Sequence, residues 1–175
     1  MKKLLLIALL STPTFAKEVE ITKTNHATFG GWSYHSTDTE KQPYAYNQVH
    51  NGLGYERFWQ EKGKDYSVGA GVWYMTDSFR MSAYHIGLTW RYDISPKIKA
   101  NLALTYMNRG ERVKNTVYTG SGKDLTEYKV QRTNMLVVVP YLTLEVYDNL
   151  SLDVMWMPNF DDDTNVTFAR FNYKF

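Results

Sequence analysis

The last stretch of the chain, Asn165-Val-Thr-Phe-Ala-Arg-Phe-Asn-Tyr-Lys-Phe175, has the two-residue period of a β-strand. One face of this strand carries Thr167, Ala169, Phe171, Tyr173 and Phe175. The other face carries Val166, Phe168, Arg170, Asn172 and Lys174, and it becomes polar over its last three positions. A soluble protein can also end on such a strand at the edge of a sheet, so this segment alone does not decide whether the protein is soluble or embedded in a membrane. The other end of the chain is needed to decide.

The N-terminus has the pattern of a secretory signal peptide. Met1-Lys2-Lys3 is basic, Leu4 to Leu10 is apolar, and Thr14-Phe15-Ala16 has the small residues of a cleavage site. We therefore predict a signal peptide over residues 1–16 and a single mature domain over 17–175. In an exported chain, a final strand ending on Phe175 resembles the closing strand of a bacterial outer-membrane barrel, where the terminal Phe is part of the insertion signal.

Alternating segments recur along the mature chain between turn-forming residues. Strands are predicted at 28–36, 50–59, 66–76, 82–92, 97–108, 134–147, 150–158 and 165–175. Each is near the ~9–11 residues that a tilted strand needs to cross a bilayer. Nearly every strand has one apolar face, so closure in lipid explains the pattern. The predicted fold is all-β, an eight-stranded antiparallel transmembrane barrel in the outer membrane, with both termini periplasmic.

Composition excludes several classes of function. The chain has no cysteine, and its net charge of +2 is too small to indicate nucleic-acid binding. The connectors alternate between short and long, and residues 109–133 are predicted to be a long outer loop. This loop carries six cationic and three acidic residues. Two alternatives stay open for it, a site for lipopolysaccharide phosphates or a solvated loop of mixed charge.

Three polar residues are predicted to meet at the outer rim of the barrel. His35 ends the first strand on its lumenal face, and Asp77 and Ser78 follow the third strand. Imidazole, carboxylate and hydroxyl together can perform acyl transfer, because the imidazole accepts the hydroxyl proton and the carboxylate supports the imidazolium. The alternative is that these are ordinary solvated residues at a rim.

Several stretches resemble the outer-membrane lipid A palmitoyltransferases. They are Trp32-Ser-Tyr-His35, Trp73-Tyr-Met-Thr-Asp77-Ser78-Phe-Arg, Val137-Val-Val-Pro140, Met155-Trp-Met-Pro158 and the C-terminal strand. The resemblance implies an enzyme that moves an acyl chain from a glycerophospholipid donor to a lipid A acceptor at the outer leaflet. It assigns catalysis to His35, Asp77 and Ser78.

The same resemblance implies how lipid would be bound. Gly87 and Thr89 would lie at the floor of a lumenal acyl pocket, where Thr89 would favour chains shorter than palmitoyl. Pro140 and Pro158 would open lateral passages, because proline has no amide hydrogen to donate to a sheet. The expected protein is a monomer in contact with membrane lipids, with no cofactor and no metal.

The competing hypothesis is a non-catalytic eight-stranded barrel with a role in adhesion, surface protection or membrane structure. The lumen distinguishes the two, since structural barrels fill it with charge networks. Apart from His85 and Arg91, the predicted inward positions are small or uncharged. This favours the enzyme.

Overall fold

A computed structural model describes residues 19–36, 46–119, 123–157 and 165–175. Eight antiparallel strands form a closed barrel in chain order, each paired with the next and β1 paired with β8. The strands are β1 (Ile21–Ser36), β2 (Val49–Glu61), β3 (Tyr66–Thr76), β4 (Ser82–Ser95), β5 (Ile98–Thr119), β6 (Lys123–Tyr147), β7 (Leu150–Met157) and β8 (Asn165–Lys174). The predicted fold is confirmed.

The outer surface of the barrel is apolar, and the alternation seen in the sequence produces it. On β4, Tyr84, Ile86, Leu88, Trp90 and Tyr92 are each about half exposed, whereas Thr89 and Arg91 between them are buried in the lumen. An exposed apolar face that is flanked by aromatic residues at both ends is typical of a strand that crosses a bilayer. No helix within the described ranges is long and apolar enough to span a membrane.

The two ends of the barrel differ. The first residue of β1 and the last residue of β8 lie at the end where short turns join β2 to β3, β4 to β5 and β6 to β7. The opposite end carries the longer connections and the part of β5 and β6 that extends past their neighbours. Short periplasmic turns and longer outer connections are the outer-membrane pattern, so the long end is the outer one.

A chain of polar contacts runs from strand to strand across the lower lumen, the part of the barrel interior nearer the periplasmic end. Arg170 on β8 binds Glu56 on β2 at 2.6 Å and Asp153 on β7 at 3.1 Å. Asp153 accepts a hydrogen bond of 2.7 Å from Thr143 on β6, and Thr143 accepts one of 3.0 Å from Asn101 on β5.

Arg91 on β4 completes this lumenal network. It donates to Asn101 at 2.8 Å and lies 3.6 Å from the centre of the Phe58 ring on β2. Strands β2, β4, β5, β6, β7 and β8 are thereby tied together inside the barrel. The prediction of a nearly uncharged lumen is wrong, because Glu56, Asp153 and Arg170 face inward as well as Arg91.

Residues 109–119 and 123–133 do not form the predicted loop, and residues 120–122 lie outside the described residues. β5 and β6 stay in register from Ile98↔Leu144 out to Thr119↔Lys123, so these two segments form a two-stranded ribbon. The last pair between β5 and β4 is Asn108 with Tyr84, and β6 pairs with β7 only from Tyr141 onward. We call the part from residue 109 to residue 133 the outer hairpin.

Candidate functional site at the outer rim

His35 and Ser78 meet at the mouth of the barrel, as the sequence predicts. The Nε2 atom of His35 lies 3.0 Å from the hydroxyl of Ser78. The ring of Tyr46 stacks on the imidazole with centroids 4.3 Å apart and planes 8° apart. This contact follows from barrel topology, since β1 and β3 both run outward and end at the same rim.

Asp77 lies beside this pair, but its carboxylate accepts hydrogen bonds from backbone amides. Oδ1 accepts the amide hydrogens of Phe79 and Met81 at 2.9 and 2.8 Å, and Oδ2 accepts that of Gly110 at 2.6 Å. Asp77 is only 2% exposed. The residue therefore closes the turn between β3 and β4 and fastens that turn to β5, at the base of the outer hairpin.

A cavity of about 880 Å³ fills the upper lumen below this rim. Its mouth includes His35, Tyr46 and Ser78, and its deep end includes Glu56 and Arg170 of the lumenal network. Most of the wall between is apolar, formed by methionines, valines, Trp73 and Phe168. The cavity is thus open at the outer end of the barrel, and the charged side chains of the lumenal network close its deep end.

The predicted lipid-binding residues are only partly brought together. Gly87 and Thr89 line the cavity. Pro140 is exposed on the outer face of β6, opposite Leu102, and the β6–β7 ladder begins one residue later at Tyr141. Pro158 lies outside the described residues. The catalytic and substrate-binding roles assigned to these residues stay predictions.

The base of the outer hairpin packs on the rim through residues that the sequence did not single out. The guanidinium of Arg112 lies 5.3 Å from the Tyr46 ring and 5.5 Å from the Phe79 ring. Arg132 donates to the carbonyl of Ser82 at 2.8 Å and to Asn108 at 2.6 Å. The only signal in the sequence was the excess of cations between residues 109 and 133.

Comparison with known proteins finds similarity at the level of structure. No family model matches the chain, and no curated protein matches it. The crystal structure of Ail, the attachment invasion locus protein of Yersinia pestis, matches with a TM-score of 0.52 at 13% identity, covering 87% of this chain and 98% of Ail. Neisserial surface protein A matches with a TM-score of 0.41 at 14% identity, covering 89% of this chain and 99% of that one.

The likeness to Ail shows the fold, an integral outer-membrane barrel. It contradicts the predicted family, because the similar structure is that of an attachment protein and not of a lipid A palmitoyltransferase. The prediction of an enzyme, a phospholipid:lipid A acyltransferase, is therefore wrong. Two observations agree with this correction: the lower lumen holds an ionic network, and both oxygens of the Asp77 carboxylate are bound by backbone amides.

Proposed function

We propose that this protein is a non-catalytic outer-membrane barrel that presents the outer hairpin at the cell surface as an attachment element. The observation that carries the proposal is the continued pairing of β5 and β6 beyond their neighbours. From Asn108 to Thr119 the ribbon adds roughly 37 Å of strand at ~3.4 Å per residue. An element of this length extends well past the headgroups of the membrane in which the barrel sits.

The contacts at the hairpin base support a presenting role. Asp77 binds the amide of Gly110, and Arg132 binds β4, so the hairpin is anchored on both of its strands. A ribbon held at its base loses less conformational freedom on binding than a free loop does. The lumenal network supports the same reading, because cross-strand ion pairs hold the barrel to one shape beneath the hairpin.

The charge of the hairpin indicates the class of surface that it contacts. The segment 109–133 has six basic and three acidic residues. On the described part of the hairpin, Glu127, Tyr128, Lys129, Val130, Gln131 and Arg132 are all exposed. Basic side chains interleaved with an aromatic residue on an extended strand favour an anionic surface.

Attachment of cells to coated surfaces tests this proposal. Cells displaying the barrel should adhere to dextran sulfate more than to neutral dextran, and adhesion should weaken as salt is raised from 0.05 to 0.5 M. A variant with residues 111–131 replaced by Asn-Gly, a two-residue hairpin turn, keeps Gly110 and Arg132 and should lose this preference. The control is Lys62→Met, a change in a periplasmic turn. Equal adhesion by the trimmed variant, at matched surface amounts of folded barrel, contradicts the proposal.

A further inference from the structure

The methionines of this chain are concentrated in one place. Five of the seven line the lumenal cavity, namely Met75, Met107, Met135, Met155 and Met157. Methionine is a common gap-filler in cores, but here the side chains surround a space of about 880 Å³ instead of filling it. A cavity with this lining presents several polarizable thioether sulfurs toward one volume.

One of these methionines is the cross-strand neighbour of a histidine on the barrel wall, and a second methionine lies one strand further on. His85 on β4 pairs with Met107 on β5, and Met107 pairs with Met135 on β6. All three line the cavity. Directly paired side chains on one face start ~5 Å apart, and the inner wall of a barrel is concave. The imidazole and both thioethers can therefore reach a common point in the lumen.

Four buried polar atoms of residues that line this cavity have no hydrogen-bond partner among the described residues. They are Nε2 of His85, Oε2 of Glu56, Nδ1 of His35 and the hydroxyl of Tyr141. Of these residues, His85 is the one paired directly with Met107. A buried ring nitrogen without a hydrogen-bond partner is costly unless a ligand satisfies it. Nε2 of a neutral histidine is a metal ligand.

We propose that His85, Met107 and Met135 form a binding site for a soft monovalent cation, Cu(I), inside the lumen. Thioether and imidazole ligands together select soft ions over Mg²⁺ or Ca²⁺, which require oxygen ligands. The cavity opens at the outer rim, so an ion has a path to the site. This site is independent of the proposed attachment function of the outer hairpin.

Titration of the folded mature barrel in detergent micelles tests the site, with Ag(I) as an air-stable probe and a Cu(I)-chelator competition for copper itself. The wild-type protein should bind one equivalent. Met107→Leu with Met135→Leu removes both sulfurs while nearly conserving volume, so folding should be spared. Its affinity should fall at least tenfold, and His85→Gln should weaken binding to a similar extent.

The matched control is Met155→Leu with Met157→Leu, which removes two cavity sulfurs on β7 and should leave the affinity unchanged. Methyl resonances of Met107 and Met135 should shift on adding Ag(I), while that of Met155 should not. Absence of stoichiometric binding by the wild-type barrel overturns the proposal. Equal affinities for the two double variants do so as well, since they would show that the methionines only line the wall.

Discussion

Removing the guanidinium of Arg170 should destabilise the barrel more than any single surface change. Arg170 is 6% exposed and binds Glu56 at 2.6 Å and Asp153 at 3.1 Å. In Arg170→Met both carboxylates stay buried without their cation. Breaking a buried ion pair by deleting one partner costs about 3–5 kcal/mol. With a slope of ~2–4 kcal/mol per molar in guanidinium chloride, the unfolding midpoint should fall by roughly 1–2 M.

Heat-modifiable gel migration and tryptophan fluorescence in detergent can follow this unfolding. The matched control is Lys62→Met, which breaks a pair with Glu20 of similar length, 2.8 Å, whose side chains are 68% exposed. An exposed pair contributes about 0–1 kcal/mol, so the control midpoint should barely move. Adding Glu56→Gln and Asp153→Asn to Arg170→Met should recover much of the loss. The reasoning is refuted if Arg170→Met costs no more than Lys62→Met.

Three further predictions concern the membrane face, the rim and the N-terminus. Leu88→Arg places a charge in the middle of the outer face of β4 and should cost about 2–4 kcal/mol in lipid vesicles, whereas Leu88→Ile should be nearly neutral in the same unfolding assay. Asp77→Ala leaves three backbone amides without their acceptor and should destabilise the barrel by roughly 3 kcal/mol. Asp77→Asn keeps one acceptor oxygen and should destabilise the barrel less. Equal unfolding midpoints for the two variants would argue against a stabilising role of these hydrogen bonds. The mature protein purified from outer membranes should begin at Lys17, and an intact mass that retains residues 1–16 would exclude cleavage after Ala16.

The barrel itself could be predicted because its signal is local. The alternation of side chains between two faces along Tyr84–Tyr92 or Asn165–Phe175 can be recognised from residues adjacent in sequence, and each strand repeats this pattern. The same alternation predicts that Arg170 points inward. Its partner Glu56 is 114 residues away, so the ion pair follows only from the closed topology. The sequence therefore does not predict the lumenal network.

The sequence of the outer hairpin predicts a loop because its pattern has no apolar face. Beyond Asn108 the ribbon lacks a third strand, so both of its faces can contact water and alternation is not required there. Gly110 and the frequent charges further weaken the strand signal. A strand exposed on two sides cannot be distinguished from a polar loop by hydrophobic periodicity.

The candidate site was predicted in part. The meeting of His35 with Ser78 follows from strand order, since the ends of β1 and β3 share the outer rim. The engagement of Asp77 by backbone amides depends on the local turn geometry, which residue type does not reveal. The family resemblance rested on short stretches of aromatic, proline and terminal residues. Outer-membrane barrels place such residues at similar positions for reasons of folding, so their order alone did not establish a reaction.

The mass spectrum of lipid A tests the central claim most directly. Lipid A is extracted from cells that carry the protein, from cells that lack it, and from cells that carry the variant without residues 111–131. A non-catalytic attachment barrel predicts identical acylation in all three, with adhesion lost only in the second and third. A lipid A species with an added acyl chain, present only when His35 and Ser78 are intact, would contradict the account.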